Sequence, residues 1–180
     1  PSSIDMDLAF LIDVTGSMAP YARAVGKTVN SLLTGSGSVI TKLKAKFPDI
    51  EFHLRIGVMG FRDIDDGLQQ FTESSSLNNV GCFIDDPAHA VSFVESILKS
   101  PNGGGDIAED HLGAIDRCTK WKSQNDWTSP IKLMLLLTDA PAHGMVPAGI
   151  HNAPNVDGYS IRHPSGLTPE SVADSLVKNN

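Results

Sequence analysis

The chain has 180 residues, of which 41% are hydrophobic and two are cysteines, and its formal net charge is −7. This length suits one globular domain that buries about 70% of its unfolded surface, and two cysteines are too few for a disulfide framework, which favours an intracellular location. Because there is no Lys/Arg cluster and no apolar run near the roughly 20 residues of a transmembrane helix, we expect neither nucleic-acid binding nor direct membrane insertion.

The first half of the chain alternates between apolar runs and helical spacing. Residues 6–12 are nearly all apolar, as in a parallel strand covered on both faces. A helix follows, which the Gly/Ser-rich residues 34–38 interrupt and Pro48 ends. Residues 54–61 predict the second strand, and one short antiparallel strand is expected around residues 70–72.

The second half of the chain repeats this alternation. The Asp86-Pro87 pair predicts the start of a helix. A further helix is expected to begin near Ile107, with Glu109 and Asp110 in its first turn, where the helix dipole favours acidic groups. The remaining predicted elements are a third strand covered like the first, a long polar loop and a last helix, at residues 131–137, at residues 140–167 and from Thr168.

Strands that alternate with helices predict an α/β fold, namely a doubly wound, mostly parallel sheet with helices on both faces. We expect residues 1–180 to form a single domain. The chain ends directly after the last predicted helix, where the alternation asks for another strand. We therefore expect either that this domain was cut from a larger protein or that its sheet lacks an edge strand.

Three polar loops fall at the carboxyl ends of the predicted strands. The first holds Asp13, Thr15 and Ser17, the second contains Asp106 after three glycines, and the third includes Asp139. Ligands of doubly wound sheets bind at this edge, where the strand order reverses. Because Mg²⁺ prefers oxygen ligands, these loops predict a divalent-cation site. The competing interpretation is that Asp13 and Asp106 cap helices and that Asp139 lies in a solvated turn.

These residues and their order resemble the von Willebrand factor type A (vWA) domain with a metal-ion-dependent adhesion site. The D-x-[ST]-x-S motif of that family is matched by Asp13, Thr15 and Ser17, and its third-loop aspartate is matched by Asp139. Its second-loop threonine is replaced here by Asp106. The resemblance spans nearly the whole chain and implies a Rossmann-like fold in which these five residues bind Mg²⁺, or alternatively Mn²⁺ or Ca²⁺. It also implies protein recognition, with one coordination position open to an Asp or Glu of a partner.

Three further stretches resemble the vWA domains that accompany atypical alpha-kinases of protists and fungi. These stretches are G-[FY]-R-D, G-G-G-D-x-x-E-D and D-A-P-x-H-G, found at residues 60–63, 103–110 and 139–144. This narrower resemblance implies a regulatory or targeting domain of an atypical kinase, although the chain has no kinase domain. In that alternative the extra carboxylate of Asp106 makes the metal ion mainly structural, because about one net negative charge is left at the site.

Four other residues are candidates to support the ligands without touching the ion. Asp63 and Arg62 follow the second strand, Glu109 follows the glycine-rich loop, and His143 lies four residues past Asp139. Arg62 could pair with neighbouring aspartates or orient a carboxylate of the site. The three histidines of the long loop lack the spacing of a zinc site and are interpreted as ordinary loop residues.

An enzymatic alternative is a Mg²⁺-dependent phosphohydrolase that resembles the haloacid dehalogenases, in which an aspartate also follows the first strand of a doubly wound sheet. Those enzymes need a second aspartate two residues later as the general acid, and this chain has Thr15 there. No lysine is placed to neutralise a phosphoaspartate. We therefore expect a binding domain and not an enzyme.

Overall fold

The computed structural model describes residues 2–77, 81–121, 127–145, 156–159 and 162–178. The strands in this part of the chain are β1 (Ser2–Asp13), β2 (Ile50–Phe61), β3 (Phe71–Glu73), β4 (Phe83–Ile84) and β5 (Ile131–Leu137). The α-helices are α1 (Ala22–Leu33), α2 (Val39–Lys46), α3 (Pro87–Ile97), α4 (His111–Thr119) and α5 (Pro169–Lys178). Among these described helices, none combines the length and the apolar character needed to cross a bilayer.

Strand β1 lies at the centre of the sheet, with β2 parallel to it on one side and β5 parallel to it on the other. Strands β3 and β4 both run antiparallel to β2. The chain leaves β1 towards β2 and later returns to the opposite side of β1, so the strand order reverses at the carboxyl end of β1. The predicted mostly parallel α/β fold is confirmed, and so is the short antiparallel strand near residue 71.

Alternate residues of β1 face two separate cores. Leu8, Phe10 and Ile12 pack with residues of α1 and α3, whereas Ala9 and Leu11 pack with residues of α4. None of these five side chains is more than 5% exposed, and burying one large apolar side chain contributes about 1.5–3 kcal/mol. Helices therefore cover both faces of β1, as its nearly continuous apolar sequence requires.

The predicted helix is present as α4, but it begins at His111 and not near Ile107. The N–H groups of Ile107 and Ala108 both donate to Val156 O, at 3.2 and 3.0 Å. Glu109 N–H donates to Pro141 O at 3.0 Å, and residue 109 forms an isolated parallel bridge with residue 142. The bridge shows that residue 109 is paired with the loop after β5 like a strand residue, so the helix starts only after it. Glu109 lies outside α4, where the helix-dipole argument does not apply to it.

Strand β5 is present as predicted, but it is less covered than its apolar sequence suggests. Ile131, Leu133, Leu135 and Leu136 are between 37% and 50% exposed. Within the described residues, β5 pairs with β1 alone. Strands β1 and β5 are similarly apolar, yet only β1 has a neighbouring strand on each side, and this difference in position accounts for the difference in burial.

Candidate metal centre

Three loops meet at the carboxyl ends of β1 and β5. Ile12 and Leu137 are paired in the register of these two strands, so the residues that follow them lie side by side. The glycine-rich loop is tied to the first loop, because Gly16 N–H donates to Gly103 O at 3.1 Å. The loops that the sequence analysis assigned to one edge of the sheet are therefore neighbours at the point where the strand order reverses.

The glycines of the second loop are required by its conformation. Gly103 and Gly104 have φ values of +84° and +82°, in the left-handed region that favours glycine. A Cβ on Gly103 would lie 2.5 Å from the carboxylate oxygens of Asp66. Asp66 Oδ2 accepts a hydrogen bond from Gly104 N at 3.0 Å, so the turn after β2 holds the glycine-rich loop in place.

The Asp13 centre comprises Asp13, Thr15, Ser17, Glu109 and Asp139. Asp13 Oδ1 accepts hydrogen bonds from Thr15 N at 2.9 Å and from Thr15 Oγ1 at 2.6 Å. Thr15 Oγ1 and Ser17 Oγ are 3.2 Å apart, and Ser17 Oγ donates to Asp139 Oδ1 at 2.9 Å. A continuous chain of carboxylate and hydroxyl oxygens therefore links the first loop to the third. Four of the five residues predicted as ligands, all except Asp106, belong to this hydrogen-bonded series.

The Asp13 carboxylate is fully buried among neutral partners. Asp13 is 0% exposed, and its Oδ2 accepts a hydrogen bond from Thr138 Oγ1 at 2.9 Å. Burial raises the pKa of Asp13, hydrogen bonds from Thr15 and Thr138 oppose this rise, and the charge of Asp139 adds to it. Within the described residues, no basic side chain forms an ion pair with Asp13. The site therefore concentrates negative charge without a cation of the protein to balance it.

Glu109 joins this centre from the extended segment before α4. The residue is 2% exposed, and its Oε2 is buried with no hydrogen-bond partner in the described structure. Burial, reinforced by the charge of Asp13, raises the pKa of Glu109 to about 9, although a hydrogen bond from Thr15 acts in the opposite direction. An unsatisfied buried polar group costs about 1–3 kcal/mol. The side chains around the adjoining opening of about 150 Å³ include Ser17, Asp106, Glu109 and Asp139.

Asp106 borders the same opening, but its carboxylate has different neighbours. Its Oδ2 accepts a hydrogen bond from Gly158 N at 2.5 Å, and its Oδ1 is buried without a partner among the described residues. Burial raises the pKa of Asp106, the charges of Asp63 and Asp157 add to this rise, and His143 opposes it. The fifth predicted ligand is thus directed towards a second cluster of charged groups.

This second cluster, the His143 centre, consists of Asp63, Asp106, His143 and Asp157. His143 Nε2 lies 2.6 Å from Asp63 Oδ1, and His143 Nδ1 lies 2.9 Å from Asp157 Oδ1. Burial alone would lower the pKa of His143, but the two aspartates raise it to about 9. The same contacts outweigh burial at Asp63 and Asp157 and lower the pKa of each. In the metal-free protein His143 is therefore a buried imidazolium that links the loop after β2 to the loop after β5.

Arg62 supports the loops through backbone carbonyl groups. Its Nε donates to Asn102 O at 3.0 Å and its Nη1 donates to Gln69 O at 2.8 Å. Neither contact involves the aspartates that the sequence analysis considered as partners. Arg62 therefore fastens the start of the glycine-rich loop to the turn that follows β2.

Comparisons with known proteins match this chain to parts of longer proteins. No protein-family model matches the sequence. The chain is 27% identical over 177 residues to the alpha-protein kinase vwkA of Dictyostelium discoideum, and the match covers 97% of this chain and 24% of that protein. The chain thus spans about a quarter of the length of the curated relative that it matches.

Two solved structures also match. The pilus adhesin SpaC of Lactobacillus rhamnosus GG, in its open conformation, matches 75% of this chain with a TM-score of 0.51 and 18% identity, over 14% of its own chain. The human COPII-coat protein Sec24c matches 99% of this chain with a TM-score of 0.46 and 13% identity, over 26% of its own chain. The match to the adhesin shows a shared fold.

Proposed function

We propose that this chain is a vWA-type recognition domain whose Asp13 centre binds Mg²⁺ and offers it to an acidic side chain of a protein partner. The residues that would hold the ion are Asp13, Thr15, Ser17, Glu109 and Asp139. The observation that carries the proposal is the buried, unpartnered Oε2 of Glu109 at the opening that Ser17 and Asp139 also line. The charge of Asp13 acts on the same carboxyl group. A divalent cation there would satisfy this oxygen and balance the adjoining carboxylates.

The chemistry of the donor set fits Mg²⁺. All five side chains offer oxygen atoms, which are the ligands of hard cations, and the hydroxyls of Thr15 and Ser17 already lie in one chain with Asp13 and Asp139. Mn²⁺ and Ca²⁺ use similar ligands and are the alternative ions. When bound, the ion supplies a positive charge, and the opening beside Ser17 would let a partner carboxylate approach it.

Glu109 replaces Asp106 in this proposal. The resemblance to vWA domains put Asp106 at the position of the second-loop ligand, three residues before Glu109. The geometry supports the later residue, because Glu109 Oε1 and Thr15 both lie against Gly104, whereas the Asp106 carboxylate accepts a hydrogen bond from Gly158 N. Among the charges that act on Glu109, that of Asp13 has the largest effect. Asp106→Asn should therefore leave the Mg²⁺ affinity of the Asp13 centre nearly unchanged, whereas Glu109→Gln should abolish it.

The similarity to an alpha-protein kinase supports a regulatory or targeting role within a longer protein. The match covers almost all of this chain but only a quarter of the kinase, as expected for an accessory domain. Thr15 supports a binding function and not a phosphohydrolase, because it occupies the position where those enzymes have the general acid. Its hydroxyl instead donates a hydrogen bond to Asp13. Recognition of an acidic partner, without catalysis, is the function that these features favour.

A second candidate is that the ion serves mainly to hold the loops together. Three ionised carboxylates, those of Asp13, Glu109 and Asp139, around one divalent cation leave about one net negative charge. This charge would weaken the attraction for an acidic partner while it strengthens the hold on the ion. The Ser17–Asp139 hydrogen bond already joins the first and third loops, and a structural ion would reinforce that link.

Thermal unfolding of the chelator-stripped domain, titrated with Mg²⁺, Mn²⁺ and Ca²⁺, tests ion binding. A ligand that binds only the folded state stabilises it by about 2.7 kcal/mol at a hundred times its dissociation constant. We expect Mg²⁺ to raise the melting temperature of the wild type and of Asp106→Asn, but not of Asp13→Asn or Glu109→Gln. The exposed Asp49 provides a matched control, and Asp49→Asn should respond like the wild type.

Acetate then separates recognition from a structural role. At constant ionic strength, excess acetate should raise the melting temperature further only when Mg²⁺ is bound, because it can occupy the open coordination position. A Mg²⁺ response without an acetate response would favour the structural ion. If no cation raises the melting temperature of the wild type, the proposal that the Asp13 centre binds metal fails.

A further inference from the structure

We propose that Asp63, Asp106 and His143 form a second cation site, which takes a transition-metal ion such as Zn²⁺ and is distinct from the Mg²⁺ site proposed at the Asp13 centre. The three residues come from three loops, after β2, before α4 and after β5. In the described part of the chain, one ligand atom from each lies within 4.8 Å of the other two. Sequence separations this wide hide such a site from any search for closely spaced ligands.

Asp106 supplies the first independent support for this site. Its Oδ1 is fully buried and has no hydrogen-bond partner among the described residues. A carboxylate oxygen withdrawn from water in this way is costly unless a cation or a donor meets it. Ligand atoms of Asp63 and His143 lie within 4.8 Å of a carboxylate oxygen of Asp106. The space between these three atoms is where such a cation would sit.

The charge of the cluster provides the second support. Asp63, Asp106 and Asp157 carry three negative charges when ionised, and a protonated His143 returns one, so about two negative charges are left by simple counting. Asp63 and His143 are only 1% and 2% exposed, and excess charge is expensive to bury at such positions. A divalent cation bound by Asp63, Asp106 and His143 would reduce this excess.

The imidazole is also oriented as a metal ligand should be. Metal-binding histidines commonly donate the N–H of their other ring nitrogen to a carboxylate, which fixes the ring. Here His143 Nδ1 lies 2.9 Å from Asp157 Oδ1. Asp157 is itself held by Gly144 N at 2.7 Å and by Tyr159 N at 2.8 Å. The ring is therefore locked with Nε2 facing Asp63 and the cluster interior.

The donor sets of the two centres favour different ions. An imidazole nitrogen with two carboxylates suits Zn²⁺ and related transition metals, for which nitrogen ligands are usual. The Asp13 centre offers oxygen alone and suits Mg²⁺. The same edge of the sheet would thus hold two ions of different chemical class, and Zn²⁺ should bind even when Mg²⁺ is saturating.

The test is a calorimetric titration of the chelator-stripped chain with Zn²⁺ in saturating Mg²⁺, with Co²⁺ as a visible-absorption probe of nitrogen and oxygen ligation. We expect one equivalent of Zn²⁺ to bind. Asp106→Asn should weaken this binding at least about tenfold. Loss of a residue that only hydrogen-bonds to a metal ligand already lowers metal affinity by that factor, and Asp106 is proposed as a ligand itself. Asp106 is less buried than Asp63 and His143, so this variant should fold, and circular dichroism would verify that it does.

Two controls separate this site from others on the molecule. His53 is exposed between Asp5 and Glu51, at 2.8 and 3.2 Å, so His53→Ala tests for adventitious surface binding and should leave the titration unchanged. Asp13→Asn should abolish the Mg²⁺ response yet retain Zn²⁺ binding, which makes failure of either proposal visible without the other. Absence of Zn²⁺ binding, or equal binding by Asp106→Asn, would show that the His143 centre is only a hydrogen-bonded ion pair.

Discussion

Asp7 and Asp13 lie on the same strand, and both are 0% exposed, yet the fold treats their carboxylates differently. Asp7 lies near the middle of β1 and accepts two hydrogen bonds from Arg55, at 2.9 Å each. Ser129 N, Ser129 Oγ and Thr128 N add three more, at 2.9, 2.6 and 3.0 Å. Burial alone would raise the pKa of Asp7, but these partners outweigh it and lower the pKa.

Asp13, at the carboxyl end of β1, has hydroxyl and amide donors but no cation. Its pKa is raised, first by burial and then by the charge of Asp139, against the hydrogen bonds from Thr15 and Thr138. Asp7 is therefore a carboxylate whose charge the protein balances itself, whereas Asp13 is one whose charge it leaves for an ion. The difference between partners, and not burial, separates a structural aspartate from a candidate ligand.

The largest effect should come from Asp7→Asn. Loss of the charge leaves Arg55 without its carboxylate, and the new amide group faces the N–H donors of residues 128 and 129. Because Arg55 is 28% exposed, the loss should lie at the lower end of the about 3–5 kcal/mol that breaking a fully buried ion pair costs. Urea denaturation in chelator should report this loss, while the increase in melting temperature caused by Mg²⁺ stays as in the wild type.

The exposed Asp5, two residues earlier on β1, gives the matched control, since Asp5→Asn should cost far less. The lowered pKa of Asp7 also fixes the direction in which its contribution to folding stability changes with pH. Because the folded-state pKa of Asp7 lies below its unfolded value, its contribution is present above that unfolded value and is lost as the pH falls through the folded pKa. A variant Asp7→Asn as stable as the wild type at neutral pH would remove the contrast with Asp13.

Glu109 extends the comparison, because its pKa is raised whereas that of Asp7 is lowered. Its folded-state pKa of about 9 lies above the ordinary value of 4.5, so the metal-free domain should lose stability as the pH rises between these values. Glu109→Gln removes this titration. We expect the variant to exceed the wild type by about 1–3 kcal/mol at the alkaline end of the range, because an ionised carboxylate buried without a partner costs more than the neutral amide that replaces it.

Urea denaturation in chelator across this pH range measures the effect, and the exposed Glu95 supplies the control variant Glu95→Gln. The pKa of His143 is also near 9, but its titration is shared by the wild type and the variant and cancels in their difference. Saturating Mg²⁺ should reverse the order of stability, since only the wild type can bind the ion. Parallel pH profiles for the two proteins would mean that Glu109 does not belong to the Asp13 centre.

Much of the framework could be predicted because it depends on the order of apolar runs. The alternation of strands and helices predicted that the strands run parallel, and parallel strands bring Asp13 and Asp139 to the same edge of the sheet. That β1 lies between β2 and β5 comes from the structure. The prediction was weaker where tertiary contacts override local pattern. A helix was expected from near Ile107, but residue 109 forms a parallel bridge with residue 142 in the loop after β5, so the position of Glu109 could not be read from the sequence.

Asp7 and Asp157 show a second limit. Asp7 is a single polar residue in an apolar run, and its partner Arg55 becomes visible only through the register that pairs the two residues across β1 and β2. Asp157 supports His143 from a loop with no regular spacing. The pairing of an acid in one strand with a base in the next could have indicated Asp7, whereas no local signal pointed to Asp157.

Asp13→Asn, measured in chelator, should have the smallest effect on stability. It is also the most direct test of the contrast between Asp7 and Asp13. The amide oxygen can still accept the hydrogen bonds from Thr15, its N–H₂ group can donate to Thr138, and the repulsion from Asp139 disappears. We expect stability to be unchanged or to rise by up to about 1 kcal/mol, although the same substitution at Asp7 is strongly destabilising. A loss at Asp13 as large as that at Asp7 would mean that both carboxylates serve the fold. A gain combined with loss of the Mg²⁺ response would show that the protein keeps the Asp13 charge, at a cost to its own stability, for the ion.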